Sequence, residues 1–150
     1  MSFWGYVRNN GEVGVRNHVL IIPSARITNI AATRIAQYVT GTKTIITTGE
    51  VCRHSRDRNR LADLYIGLAQ NPNTYATIIL GAREDFGYPE VLPKRLAEEI
   101  EKSGKPVSIL TLEKSCGLEK LVVDGITQAR EYVHDEIGRA SCRERVSSVV

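Results

Sequence analysis

A chain of 150 residues, 42% apolar and 25% charged, has room for one domain with its own core and the make-up of an ordinary globular protein. A net charge of +3 is too small to mark a nucleic-acid partner, and no apolar run is long enough to span a membrane. The three cysteines are widely spaced and give neither a zinc pattern nor a disulfide framework; with no secretory signal, a cytoplasmic setting is expected.

Residues 1–11 are aromatic and polar and end in the turn signal Asn9-Asn10-Gly11. Gly11 and Gly14 bracket a short turn, Arg16-Asn17-His18 follows, and the apolar run Val19–Ile22 stops at Pro23. Such a run between turn residues fits a strand buried on both faces. Asn29–Val39 carries Ile30, Ala31, Ile35, Ala36 and Val39 near helical spacing, with Thr28 or Asn29 as cap and Gly41 as stop. The β-branched run Thr44–Thr47 predicts a second strand, Thr48–Asp57 a polar loop, and Arg58–Gln70 a helix. Asn71-Pro72-Asn73 stops that helix. Tyr75–Leu80 predicts a third strand closed by Gly81, followed by a loop, Ala82–Pro89. Leu92–Ser103 predicts a helix with Pro93 in its first turn. Val107–Leu112 predicts a fourth strand and Leu118–Val133 a last helix. Strands alternating with helices imply right-handed crossovers. The expected fold is α/β, a three-layer Rossmann-like domain with a parallel sheet of about four strands.

Open α/β sheets bind ligands outside the carboxyl ends of their strands. The predicted strand exits are Pro23-Ser24, Thr48–His54, Gly81–Gly87 and Glu113–Cys116. The second is the richest. Glu50, Cys52 and His54 alternate, so an extended loop would point them to one side. A carboxylate, a thiolate and an imidazole suit acid–base work or a borderline metal; a solvated loop with one semi-buried cysteine is the plainer alternative. Arg16 has the side chain to grip a carboxylate or a phosphate with two parallel hydrogen bonds, or Arg16 and Asn17 simply fix a turn. Ser24 stands at a strand exit but lacks the Gly-x-Ser-x-Gly elbow, so turn capping is the plainer role. No Gly-x-Gly-x-x-Gly or Walker run is present. Arg58, Arg60, Lys94, Arg95, Glu98 and Glu99 read most simply as solvated helix faces.

Phe3-Trp4-Gly5-Tyr6, Gly11, Gly14-Val15-Arg16-Asn17-His18-Val19-Leu20 and Ile22-Pro23-Ser24 together resemble the opening of the second domain of altronate and galactarate dehydratases, the UxaA family. Leu68–Asn73 and Ser103–Val107 match that family's wording too. The reactive loops depart from it. Of the family's His-x-His-Gly-Cys run only Cys52 remains, with Thr48, Glu50 and Val51 in the other places, and Ala82 replaces a cysteine after the third strand. The resemblance implies a metal-assisted hydro-lyase acting on a small-molecule sugar acid, with a divalent metal such as iron as cofactor. On that footing Glu50, Cys52 and His54 are the expected catalytic residues, Glu50 and Cys52 the metal ligands, and Arg16, Asn17 and Ser24 the substrate contacts. The other reading is a binding or assembly subunit that kept the fold and lost the chemistry.

Glu136–Val146 resembles translated sequencing-adapter DNA. Residues 136–150 are therefore expected to be an artefactual tail on a dehydratase-like domain of residues 1–135, with Cys142 carrying no function. By that expectation the chain is a fragment, inactive without the rest of its catalytic region or a partner subunit.

Overall fold

The computed structural model describes residues 2–8, 11–46, 54–140 and 144–147, with side-chain surroundings through residue 135. In chain order the elements are β1 (Ser2–Val7), β2 (Val13–Gly14), β3 (His18–Pro23), α1 (Asn29–Tyr38), β4 (Thr42–Thr44), α2 (Ser55–Gln70), β5 (Thr74–Gly81), α3 (Pro93–Glu101), β6 (Val107–Thr111), α4 (Leu118–Ala140) and β7 (Glu144–Ser147). Short 3-10 turns at Arg26–Thr28 and Pro89–Val91 lead into α1 and α3.

Four strands form one parallel sheet in the order β4-β3-β5-β6. β5 is buried along its whole length and β3 along all but its first residue. That is why their sequences run apolar without alternating. Successive side chains still point to opposite faces. Val19, Ile21, Ile78 and Leu80 pack under α1 and α4 with Ala31, Ala32, Ile35, Leu121 and Ala129. Leu20, Ile22 and Ile79 pack under α2 and α3 with Ala62, Tyr65, Leu96 and Ile100. The result is the expected three-layer Rossmann-like α/β fold. Among the described residues no helix is long and apolar enough to cross a membrane.

From β3 the chain steps to β4 at one edge and then crosses back over β3 to reach β5. The order therefore reverses between β3 and β5, and a doubly wound sheet opens its ligand crevice at such a switch point.

Several boundaries differ from those predicted. β4 is Thr42–Thr44, not Thr44–Thr47, and Thr47 lies outside the described residues. Thr42 is buried, and its hydroxyl donates to Val39 O at 2.7 Å. The Thr44 hydroxyl donates to Ile21 O on β3 at 3.0 Å. α2 begins at Ser55 and so takes in residues assigned to the polar loop. α3 begins at Pro93 because Leu92 is extended (φ −59°, ψ 136°), the conformation that a following proline favours. α4 runs to Ala140, past Val133.

A second sheet, β2-β1-β7, is antiparallel and was not anticipated. Tyr6 pairs with Gly14 and Val7 with Val13, and β1 pairs with β7 from Ser2–Ser147 to Gly5–Glu144. β1 leaves Phe3, Trp4 and Val7 exposed, so it lacks the alternation that announces a half-buried strand.

Candidate functional site at the carboxyl end of the sheet

The parallel sheet has two ends, and the chain treats them differently. At the carboxyl end of β3, Ser24 donates to Leu80 O through its backbone N–H (2.8 Å) and through Oγ (3.2 Å). The Thr28 hydroxyl, fully buried, lies 2.7 Å from Ala25 O and 3.1 Å from the same Leu80 O. Tyr65 Oη, on α2, donates to Pro23 O at 3.2 Å. These bonds close β3 onto β5 at the switch point and leave Ser24 on its lip. Ser24 is thus placed where the sequence put it, with its proton already given to a carbonyl.

The loop after β5 is pinned to the loop after β6. Leu112 N donates to Gly81 O (3.0 Å) and Glu113 N to Ala82 O (3.2 Å). Arg83 pairs with Glu113 at 3.3 Å and Lys114 pairs with Glu84. All four of these side chains are largely exposed, so solvent leaves such pairs little net energy.

A different pair sits deeper. Arg58, in the first turn of α2, grips Glu90 with both arms of a fork: Nε–Oε2 at 2.9 Å and Nη2–Oε1 at 3.1 Å. The side chains are only 13% and 11% exposed. The guanidinium lies 4.3 Å from the Tyr88 ring centroid, a cation–π distance. Arg58 therefore does not belong to a solvated face, as the sequence suggested. The Arg58 guanidinium first, and the Ser55 hydroxyl after it, hold the Glu90 carboxyl at about 2, down from 4.5. Glu90 binds its proton less readily folded than unfolded. Its contribution to stability is complete above pH 4.5 and is lost as pH falls towards about 2. Urea midpoints measured from pH 6 down to about pH 2 are expected to fall more steeply for the native chain than for Glu90→Gln.

The amino end of the sheet is a clasp. Asn73 Oδ1 accepts from Val15 N (3.0 Å) and Arg16 N (2.9 Å), and Arg8 Nε donates to Pro72 O at 2.8 Å. Lys105 is buried and its ammonium donates to Ala69 O and Asn71 O at the end of α2. Burial, then the nearby Arg8 charge, lowers its pKa from 10.5 to about 8. Leu68–Asn73 and Ser103–Val107, two of the stretches that carry the family resemblance, thus meet at this clasp.

Arg16 and Asn17 lie at this amino end. Six residues of β3 separate them from Ser24, roughly 20 Å of extended chain. The structure does not bring them together with the strand exits. Arg16 is exposed and Asn17 buried; both stand where the chain turns into β3. Of the catalytic trio, Glu50 and Cys52 lie outside the described residues. His54 is exposed, directly precedes α2 and makes no capping hydrogen bond with its side chain. Among the described residues no group of three or more His, Cys, Asp or Glu could hold a metal ion, so these residues alone do not make a metal centre. Cys116 is a free, exposed thiol.

Sequence reasoning missed Arg58, Glu90 and Lys105. The ion-pair partners stand 32 residues apart, beyond any spacing rule. One signal was present: a cation in the first turn of a helix opposes the macrodipole unless something compensates it.

A family model described as D-galactarate dehydratase/altronate hydrolase, second domain, matches residues 5–136. The (2R)-sulfolactate sulfo-lyase subunit beta of Chromohalobacter salexigens is 30% identical over 143 residues, covering 94% of this chain and 35% of that protein. The chain thus spans about a third of the length of the curated relative it matches. No solved structure gives a significant match.

Proposed function

We propose, since this chain belongs to the D-galactarate dehydratase/altronate hydrolase family through that family's second domain, that it forms one part of a lyase acting on a small hydroxy acid. The reaction class removes the proton next to a carboxylate and expels a group from the adjoining carbon. That group is hydroxide from a sugar acid such as altronate or galactarate, or the sulfo group from sulfolactate. The proton needs a base within hydrogen-bonding reach. His54, exposed at the start of α2, is the described candidate, with Glu50 and Cys52 completing the set. A divalent metal, iron by the family resemblance, would be held by Glu50 and Cys52 and would stabilise the charge that develops when the proton leaves. Ser24 serves as a substrate contact. Arg16 and Asn17 serve the architecture of the amino end.

The observation that carries this reading is the placement of Ser24 and Gly81 as the two lips of the switch point, fastened through Leu80 O. A second reading, a binding or assembly subunit, draws on Thr48 and Glu50 standing where the family's two histidines would be, and Ala82 where a cysteine would be. The relative's name as a subunit suits a partner chain in either case.

The deciding experiment grafts residues 5–136 into the matching third of the Chromohalobacter salexigens subunit. The chimera is then assayed on (2R)-sulfolactate, altronate and galactarate, with and without ferrous ion. Turnover of at least one acid, lost by roughly 100-fold or more in His54→Ala, is expected. The 150-residue chain alone should turn over none. A folded chimera that assembles but turns over nothing rejects the lyase reading in favour of the binding subunit.

A further inference from the structure

We propose that Arg58 and Glu90 are positioning residues for the carboxyl-end site: their ion pair fixes the first turn of α2 against the loop after β5 and thereby sets where His54 stands at the entry to α2. The importance of that position rests on the reading of His54 as an acid–base group. The clamp itself stands on geometry.

α2 is attached to both lips of the switch point along one face. Arg58 reaches the β5 side through Glu90, and Tyr65, two turns further along, reaches the β3 side through Pro23 O. His54 is one turn from the clamp, because its carbonyl accepts from Asp57 N (3.0 Å) and Arg58 N (3.2 Å). With no side-chain capping bond, His54 is tied to that turn through its backbone carbonyl. Glu90 meets the turn twice, at Arg58 and at Ser55. Tyr88, stacked on the guanidinium, begins the 3-10 turn that holds Glu90. Every part of the clamp therefore joins the first turn of α2 to residues 88–90.

A fork and a planar stack specify direction, whereas a bare charge does not. Lysine at position 58 would keep the charge but lose both the bidentate grip and the stack. A role in positioning is therefore sensitive to Arg58→Lys, and a role through charge alone is not. The swapped pair, Arg58→Glu with Glu90→Arg, restores a fork and puts the acid in the first turn, where the helix dipole favours it.

The test uses the full 150-residue chain, isotopically labelled, at one fixed neutral pH. Two readouts are followed: the ring resonance of His54, with His18 and His134 as internal references, and amide exchange at Asp57 and position 58. In Arg58→Lys and in Glu90→Gln, the His54 resonance is expected to move while the two references stay. Exchange at the two amides should rise about tenfold or more, as for a local opening. The swapped pair should recover most of the protection. An unmoved His54 and unchanged exchange in both single variants would overturn the proposal. So would three histidines that shift together with a fall in the thermal midpoint, since the pair would then serve global stability alone. These readouts need no substrate, so failure here and failure of the lyase assay are separate results.

Discussion

Replacing Gly14 with alanine is expected to destabilise the chain by about 3 kcal/mol, read as a lower urea midpoint with an unchanged slope. A Cβ on Gly14 would stand 2.2 Å from Pro72 O and 2.8 Å from Pro72 C. Both atoms are backbone, so no side chain can swing aside. Pro72 cannot retreat cheaply either, because Arg8 Nε donates to its carbonyl and the neighbouring Asn73 holds Val15 N and Arg16 N. The added methyl would disturb several bonds of the amino-end clasp at once. If the midpoint moves by no more than an ordinary surface change, within roughly 0.5 kcal/mol, then β2 does not dock against the turn at 71–73.

The second large effect lies between α1 and α4. Ile35→Ala should cost about 3 kcal/mol or more, because Ile35 is fully buried in the layer formed with Val19, Ile21 and Leu121. α4 approaches closely enough that a Cβ on Gly125 would lie 2.3 Å from Ile35 Cδ1 and 3.1 Å from Cγ1. Gly125→Ala alone should therefore destabilise through overpacking, against the helix preference for alanine, which is about 1 kcal/mol. In the Ile35→Ala background the same change should turn neutral or favourable. A double-mutant cycle by chemical denaturation measures that coupling. Additive costs would mean that the two side chains do not share this space.

The succession of segments in the sequence was enough to place β3 and β5, because strands buried on both faces read as short continuous apolar runs between turn residues and helices as longer stretches with one apolar stripe. Val19–Ile22 and Tyr75–Leu80 lie wholly within β3 and β5. What failed depended on partners remote in sequence. Arg58 looked solvated until Glu90 came beside it. Lys105 and Asn73 were parts of recognisable phrases with no visible purpose until the amino end assembled. Arg16 and Asn17 attracted attention for their chemistry, yet the direction of β3 carries them away from its carboxyl end. The β4 boundary was misplaced because a β-branched run is only a preference, and the shift puts the Thr42 hydroxyl where it meets Val39 O. The first hairpin was silent because most of β1 is exposed.

The clasp at the amino end is made largely of backbone carbonyls: Pro72, Ala69 and Asn71 each accept from a long side chain. A backbone carbonyl is present whatever residue carries it, so this floor depends on the side chains of Arg8, Asn73 and Lys105 more than on those of the residues whose carbonyls accept. The loops above it have no part in that fastening. The exposed stretch 85–87 could accordingly be rebuilt without touching that base, whereas Ser24 and Thr28 are tied to β5 and Tyr88 and Glu90 to α2. In this fold the clasp and the candidate site lie at opposite ends of four short strands, so a change in one need not disturb the other.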